Sequence, residues 1–291
     1  MANAFQHDIS NVATVAAKLV GADFNLASLI SNDVAADFAP GKGATIRITV
    51  PAAIPTRSRG IYDRTTPLVA DELTEQGIDV KLESHLYNMA ILSEGDLSLS
   101  ILDYSRQVLR PQTRAIAAKV EALVATTLSA TPATTDITYN GATPAKTFTA
   151  ARRVLRDNGV STDARLVAAV GSTVYGDLLD APTGQGFDAD GKVRGFEVVE
   201  STRLASDDIV AFVPHAFTLV ARAPMVPRGA AHGASITTPV GDDARSMSFA
   251  CRVINDYDAG IAADRSLVSV FAAGAREWRE VVGSIGVGED R

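Results

Sequence analysis

The sequence predicts an α+β chain, and three observations carry that reading. Two alternating strand patterns, within 44–54 and 78–92, are separated by roughly 25 mostly polar residues, too long for an ordinary hairpin turn. A single long helical run follows Pro111, with Ile116, Val120, Leu123 and Val124 at helical spacing. Short helices and strands then alternate over 149–224, and the last third returns to strands.

The 291 residues are 46% hydrophobic and 21% charged, with a net charge of −7, which is a globular composition. Cys251 is the only cysteine, so a disulfide framework is excluded. No long unbroken apolar run is present to span a membrane. Residues 1–20 lack the basic start and apolar stretch of a secretory signal, so assembly inside a cell is the expectation. Neither half of the chain is basic, which argues against a dedicated nucleic-acid reader and leaves local phosphate contact open.

Residues 1–40 read as an N-terminal arm. Segments 13–20 and 24–30 are helical in composition but divided by Gly21, and helices this short need something to pack against. Ile46, Ile48 and Val50 then alternate with Thr45, Arg47 and Thr49 as a half-buried strand, bounded by Pro51 and Pro55. The polar excursion, 52–77, carries Arg57, Arg59 and Arg64 near its start and Asp71, Glu72 and Glu75 near its end. Separated positive and negative ends suit pairing with a neighbouring copy, and an ordinary solvated insertion is the alternative. Ile78, Val80 and Leu82 begin the returning strand, which continues through 85–92.

Pro111 lacks a donor and crowds the preceding turn, so a short helix or turn should precede it and a helix of about 18 residues should run from it to Thr127. Arg106, Arg110 and Arg114 share one face if the helix persists across the proline. They would meet phosphate or a neighbour's acidic loop, or form a solvated stripe. Residues 127–148 read as a loop with a possible hairpin at Asn140-Gly141. A helix over 149–157 closes at Asn158-Gly159. A strand at 166–171 leads to a helix at 172–180 capped by Ser172 or Thr173. Strands follow at 193–201, 209–224, 245–261 and from 265, the last turning at Gly274, before a loose tail.

The search for chemistry is negative. His7, His85, His215 and His232 have no ligand spacing, and no second cysteine joins Cys251, which reads as a buried small hydrophobe. Gly41-Lys42-Gly43 lacks the rest of a phosphate loop, and Gly171-Ser172-Thr173 is no nucleophile elbow. Asp188 and Asp190 miss the calcium-loop pattern. Asp256 and Asp258 flank Tyr257 without an evident pocket. No catalytic, metal or cofactor residues are assigned, and the chain reads as structural, not as an enzyme.

The order of these features resembles the major capsid proteins of tailed bacteriophages, in particular the branch holding the coat protein of short-tailed Salmonella phages. The similarity runs through GKGATIRITVPAAI at 41–54, GIDVKLESHLYNMAILSEGDLSLS at 77–100 and VLRPQTRAIAAKVEALVATTL at 108–128. It continues through LVAAVGSTVYGDLLD at 166–180, GKVRGFEVVESTRL at 191–204, VPHAFTLVARAP at 213–224 and ACRVINDYDAGIAADRSLVSVFAAGARE at 250–277. The large inserted domain of the Salmonella phage protein is missing, and no cross-linking lysine can be assigned among Lys42, Lys81 and Lys146.

The resemblance implies a Hong Kong 97-like fold. Its parts would be an arm at 1–40, an extension loop with its strands at 41–93, a spine-helix region at 94–129, an axial domain at 130–244, and return strands with the tail at 245–291. It also implies an icosahedral shell of pentamers and hexamers around double-stranded DNA touched non-specifically on the inner face, with no membrane. Scaffolding, portal and decoration proteins are the further partners it implies, and the location would be the virion, assembled in the host bacterial cytoplasm. Arg57, Arg59, Arg64, Asp71, Glu72, Glu75, Arg106, Arg110 and Arg114 would then be candidate contacts between subunits. The competing readings are an encapsulin-like nanocompartment shell and, behind it, a small α/β enzyme.

Overall fold

The computed structural model describes residues 9–32, 43–50, 56–70, 76–94, 103–131, 137–182, 184–230, 232–241, 246–276 and 281–285. Helix α1 (Ile9–Ala22) buries Ala13, Ala16, Ala17 and Val20, the spacing of one helical face. Gly21 does not divide it. A Cβ there would lie 2.3 Å from Cβ of Val240, so the glycine is where helix backbone meets strand. This segment is therefore ordered by the chain's own sheet, and a 3-10 turn, Ala27–Leu29, continues it.

Strands β1 (Thr45–Val50) and β2 (Gln76–Lys81) form a separate antiparallel ribbon with Ile48 opposite Ile78. Strand β3 (Ser84–Ser93) follows, alternating between partly covered and exposed positions. The long helix then differs from expectation. A π-helical turn, Ser105–Leu109, runs without a break into α2 (Arg110–Ser129). The Arg110 amide donates to the Ser105 carbonyl, five residues back, and this wider turn accommodates Pro111, which has no amide to offer.

Helix α3 (Pro144–Asp157) starts at its proline, earlier than the 149 expected. Asn140-Gly141 forms no hairpin: the Asn140 side chain accepts from the Ala142 amide (2.9 Å) in a turn that opens the helix. Gly159, at φ +93°, closes it as expected, with the Val160 amide donating to the Leu155 carbonyl. Strand β4 (Leu166–Val170) and helix α4 (Ser172–Asp180) match the sequence reading, but the cap does not. Gly171 precedes the helix, and the Ser206 carbonyl accepts from the Thr173 amide in place of a side chain.

Strands β5 (Phe196–Glu200), β6 (Ile209–Phe212), β7 (Phe217–Arg222), β8 (His232–Val240), β9 (Met247–Asp258), β10 (Ala263–Arg276) and β11 (Val281–Ile285) complete the order of elements. Gly274 lies inside β10 and makes no turn. A Cβ there would come within 2.5 Å of Thr127 Oγ1, so glycine is what lets α2 approach the strand. The tail read as loose contributes β11, which pairs with β6.

One sheet has the order β3-β10-β9-β8, with β7 continuing beside the far half of β10. Helices α1 and α2 cover one face, enclosing Phe249, Cys251, Val253, Val268 and Val270. The second sheet, β11-β6-β4-β5, carries α3 and α4 on one face around Phe148, Phe196 and Leu178. Its other face sends Val167, Val210 and Phe212 into the first core, so the two layers share packing. Strands β7 and β8, which fall within 130–244, belong to the first sheet. Glu121 on α2 is buried and accepts from three successive amides, Asn25 (2.9 Å), Leu26 (3.0 Å) and Ala27 (2.9 Å). Gln112 and Tyr104 reach β10 as well: Gln112 Nε2 donates to the Ser266 carbonyl (2.8 Å), and the Tyr104 hydroxyl lies 2.6 Å from Ser266 Oγ.

Candidate functional site

Three surfaces carry the residues singled out by the sequence. The first is the loop beyond the β1–β2 ribbon. Asp63 Oδ1 accepts from the amides of Thr65 (2.9 Å) and Thr66 (3.1 Å) and from the Thr65 hydroxyl (2.8 Å), and Arg59 Nη1 donates to the Thr66 carbonyl (2.7 Å). Donors from Thr66 and then Thr65 hold the Asp63 carboxyl well below the usual range, so it stays an acceptor. This hydrogen-bonded turn displays Ile61 (95% exposed) and Tyr62 (93%), and Leu68 (82%) follows it. With Val69, also more than half exposed, these are large apolar side chains left in water. Arg57, Arg59 and Arg64 are exposed around them, while Asp71, Glu72 and Glu75 lie outside the described residues. The sequence reading singled out the loop's charges and missed its apolar tip, although Ile61-Tyr62 directly after Gly60 was the available signal.

The second surface is the sheet face turned away from the helices. Antiparallel register puts Tyr87, Met89 and Ile91 of β3 beside Ser269, Leu267 and Arg265 of β10, and these beside Arg252, Ile254 and Asp256 of β9. Tyr87, Met89 and Ile91 are each more than half exposed. Arg265 grips Asp256 through Nη2 (2.8 Å) and Nε (3.1 Å), and Asp258 through Nη1 (3.0 Å). The two aspartates that flank Tyr257 are thus held by one guanidinium. Tyr257 itself donates to Glu94 Oε1 at 2.8 Å.

The third surface is the outer side of α1 and α2. Because the helix persists across Pro111, Arg106, Arg110 and Arg114 are all brought to it and all exposed. Arg114 Nε approaches Asp23 at 3.6 Å.

A polar cleft of about 420 Å³ lies between the end of α1, α2 and the segment after β5, and includes Asp23, Arg114, Glu121, Glu200 and Arg203. Glu121 is committed to backbone amides and the Arg203 amide to Ser201 Oγ. Among the described residues no cluster of histidine, cysteine, aspartate and glutamate is arranged to hold a metal. None of their helices is long and apolar enough to cross a membrane. Cys251 is fully buried, and burial pushes its thiol up to about 12, the behaviour of a packing residue. His85 rests edge-on against Phe271, its pKa lowered by burial and then by Arg252.

A family model described as phage capsid protein matches residues 100–283. No curated protein matches the sequence. A solved chain from Mycobacterium phage Che8 is 18% identical over 90% of this chain and 89% of its own, with a TM-score of 0.58. The capsid structure of cyanophage P-SCSP1u gives 14% identity, 89% and 85% coverage, and a TM-score of 0.60. A virus-like particle from Pyrococcus furiosus gives 11% identity, 94% and 97% coverage, and a TM-score of 0.54. At these identities the likeness is one of fold, and the fold is Hong Kong 97-like, as the sequence resemblance implied.

Proposed function

Since this chain belongs to the phage capsid protein family, we propose that it is the major capsid protein of a tailed phage, whose copies close into an icosahedral shell around double-stranded DNA. The observation that carries this reading is the family match over residues 100–283. The exposed apolar loop tip supports it, because a side chain such as Ile61, held out in water by a built turn, suits an interface with another copy.

In this reading the β1–β2 ribbon and its loop are the extension loop, which lies over an adjacent subunit through Ile61, Tyr62, Arg57, Arg59 and Arg64. Helix α2 is the spine. Strands β4, β5 and β6 with α3 and α4 form the axial domain that gathers in pentamers and hexamers, and β7 and β8 go with the peripheral sheet they join. The motif order, above all 191–204 followed by 213–224, favours the branch of the short-tailed Salmonella phages. Scaffolding, portal and decoration proteins are the further partners this role calls for, and assembly in the host cytoplasm is its setting.

The test is sedimentation and electron microscopy of the protein expressed alone and with its genomic neighbours. Closed shells holding DNA support the reading. Shells holding only protein cargo would replace it with a nanocompartment, and a persistent monomer or dimer would end it.

A further inference from the structure

Strand β3 is paired with β10 along all ten of its residues, and its other edge meets no strand among the described residues. An open edge offers a row of N–H and C=O groups to any second strand, and folded proteins close such edges with charge, proline, shortness or cover. The other described edges of the two larger sheets use these devices. Strand β8 contains Pro239, and the segment before it folds back on it: the Ser235 hydroxyl donates to the Pro224 carbonyl and Val226 packs against Gly233. Strand β7 is covered by Ser31, whose amide donates to the Phe217 carbonyl. Strands β5 and β11 are five residues each, and β5 carries Glu197 and Glu200. Strand β3 has none of them. Its sequence, SHLYNMAILS, holds no Lys, Arg, Asp, Glu, Pro or Gly, and it extends for roughly 33 Å.

The strand is also complementary to itself. A second copy laid antiparallel about a two-fold axis at Met89 sets Met89 against Met89, Tyr87 against Ile91 and Leu86 against Leu92. The exposed face then gains aromatic–β-branched and apolar pairs throughout its centre. Glu94, the acid next to the strand, falls opposite Ser84 and already accepts from the Tyr257 hydroxyl. A register shifted by two positions leaves Ile91 opposite His85 or Tyr87 opposite Ser93. A shift of one turns the partner's exposed face to the other side of the sheet. Such an edge specifies its own partner, since a two-fold axis makes one patch serve both sides. We propose that β3 pairs with β3 of a second copy of this chain, antiparallel about a two-fold axis at Met89, joining two sheets into one. The inference goes beyond the capsid reading and does not rest on it. One strand edge is small beside the roughly 800 Å² per partner of a stable complex, so the contact is weak between free subunits and gains force where other contacts hold the copies together.

Met89 faces itself across the axis, so a charge placed there tests the register directly. M89K and M89D each bring like charges together and are expected to weaken dimerisation about tenfold or more, read by sedimentation velocity of soluble subunits over a concentration series. Mixed in equal amounts they are expected to dimerise at least as well as wild type, because the mixed pair sets Lys against Asp. Met89 is half exposed, so melting curves should match wild type, and M89R with M89E repeats the experiment with longer side chains. Wild type that stays monomeric up to about 1 mM overturns the proposal, as do single variants that associate like wild type. Association lost in both variants and not rescued by mixing also overturns it, and makes some other segment of a neighbour the cover of β3. Where subunits pass straight to shells, the same samples are scored by particle yield. Dimers rescued by mixing, with no shell formed alongside the genomic neighbours, keep this proposal and end the capsid reading. Shells from M89K alone at wild-type yield keep the capsid reading and end this proposal.

Discussion

The Glu121 carboxylate accepts the Leu26 amide at 3.0 Å, joining the middle of the long helix to a segment 95 positions earlier in the chain. Asn25 and Ala27 donate to the same group, so one acid satisfies three amides at the start of a 3-10 turn that no side chain of its own caps. This polar tie adds to the apolar packing that fixes the N-terminal segment on the core. Replacing Glu121 with alanine leaves those amides without acceptors and should cost about 2–4 kcal/mol, with E121Q losing about half as much. Urea melts read the loss, and hydrogen exchange should show residues 25–27 deprotected first.

Gly274 and Thr127 form a matched pair across the α2–β10 contact. G274A places a methyl 2.5 Å from Thr127 Oγ1 and should destabilise by about 1–3 kcal/mol. T127A removes that oxygen, so the double variant should be more stable than G274A alone. A double-mutant cycle by thermal melting measures the coupling, and strict additivity would contradict the contact.

Thr218 is fully buried, and its hydroxyl finds no hydrogen-bond partner among the described residues. T218V keeps the shape and removes the orphan group, so it should raise stability by about 1 kcal/mol. Calorimetry of the two proteins checks the sign.

Cys251 gives the pH prediction. Its folded pKa, raised by burial to about 12, lies above the ordinary thiol value, so its contribution to stability is fully present below about pH 9 and disappears as pH climbs toward 12. The native protein should not react with a thiol reagent at pH 8 and should react at once in denaturant. C251A should retain assembly.

The loop tip separates folding from association. I61D/Y62D alters side chains that touch almost nothing within the subunit, so melting should shift by less than about 0.5 kcal/mol. Shell formation should fail or fall severely. Normal particles from this variant would remove the tip from the assembly interface.

Much of the architecture was legible because burial imposes periods on the sequence. The alternation of β3 and β9 and the strand–helix step from β4 to α4 were placed by pattern alone. What escaped depended on contacts between distant segments. Gly21 and Gly274 looked like interruptions, yet each is a close approach whose partner, Val240 or Thr127, no local window contains. Strand β8 was hidden by Gly233 and by Pro239, which an edge strand tolerates. The Ser206 carbonyl that starts α4 lies beyond any local cap rule. For the candidate surfaces, charge was visible in the arginines of the loop and α2. The apolar tip needed Asp63 and its threonine donors to be seen as a built turn rather than slack chain.

Strand β10 pairs with β3 on one side and with β9 and then β7 on the other, so it is the last strand the largest sheet receives. During synthesis β3 leaves the ribosome long before β10 is made. Until β10 arrives, β3 has no partner on either edge, and the basic helix layer has no finished sheet to rest on. A truncated product therefore cannot present the sheet face or hold α2 in place. The order of translation thus makes the sheet face depend on β10, which is synthesised after every other strand of that sheet.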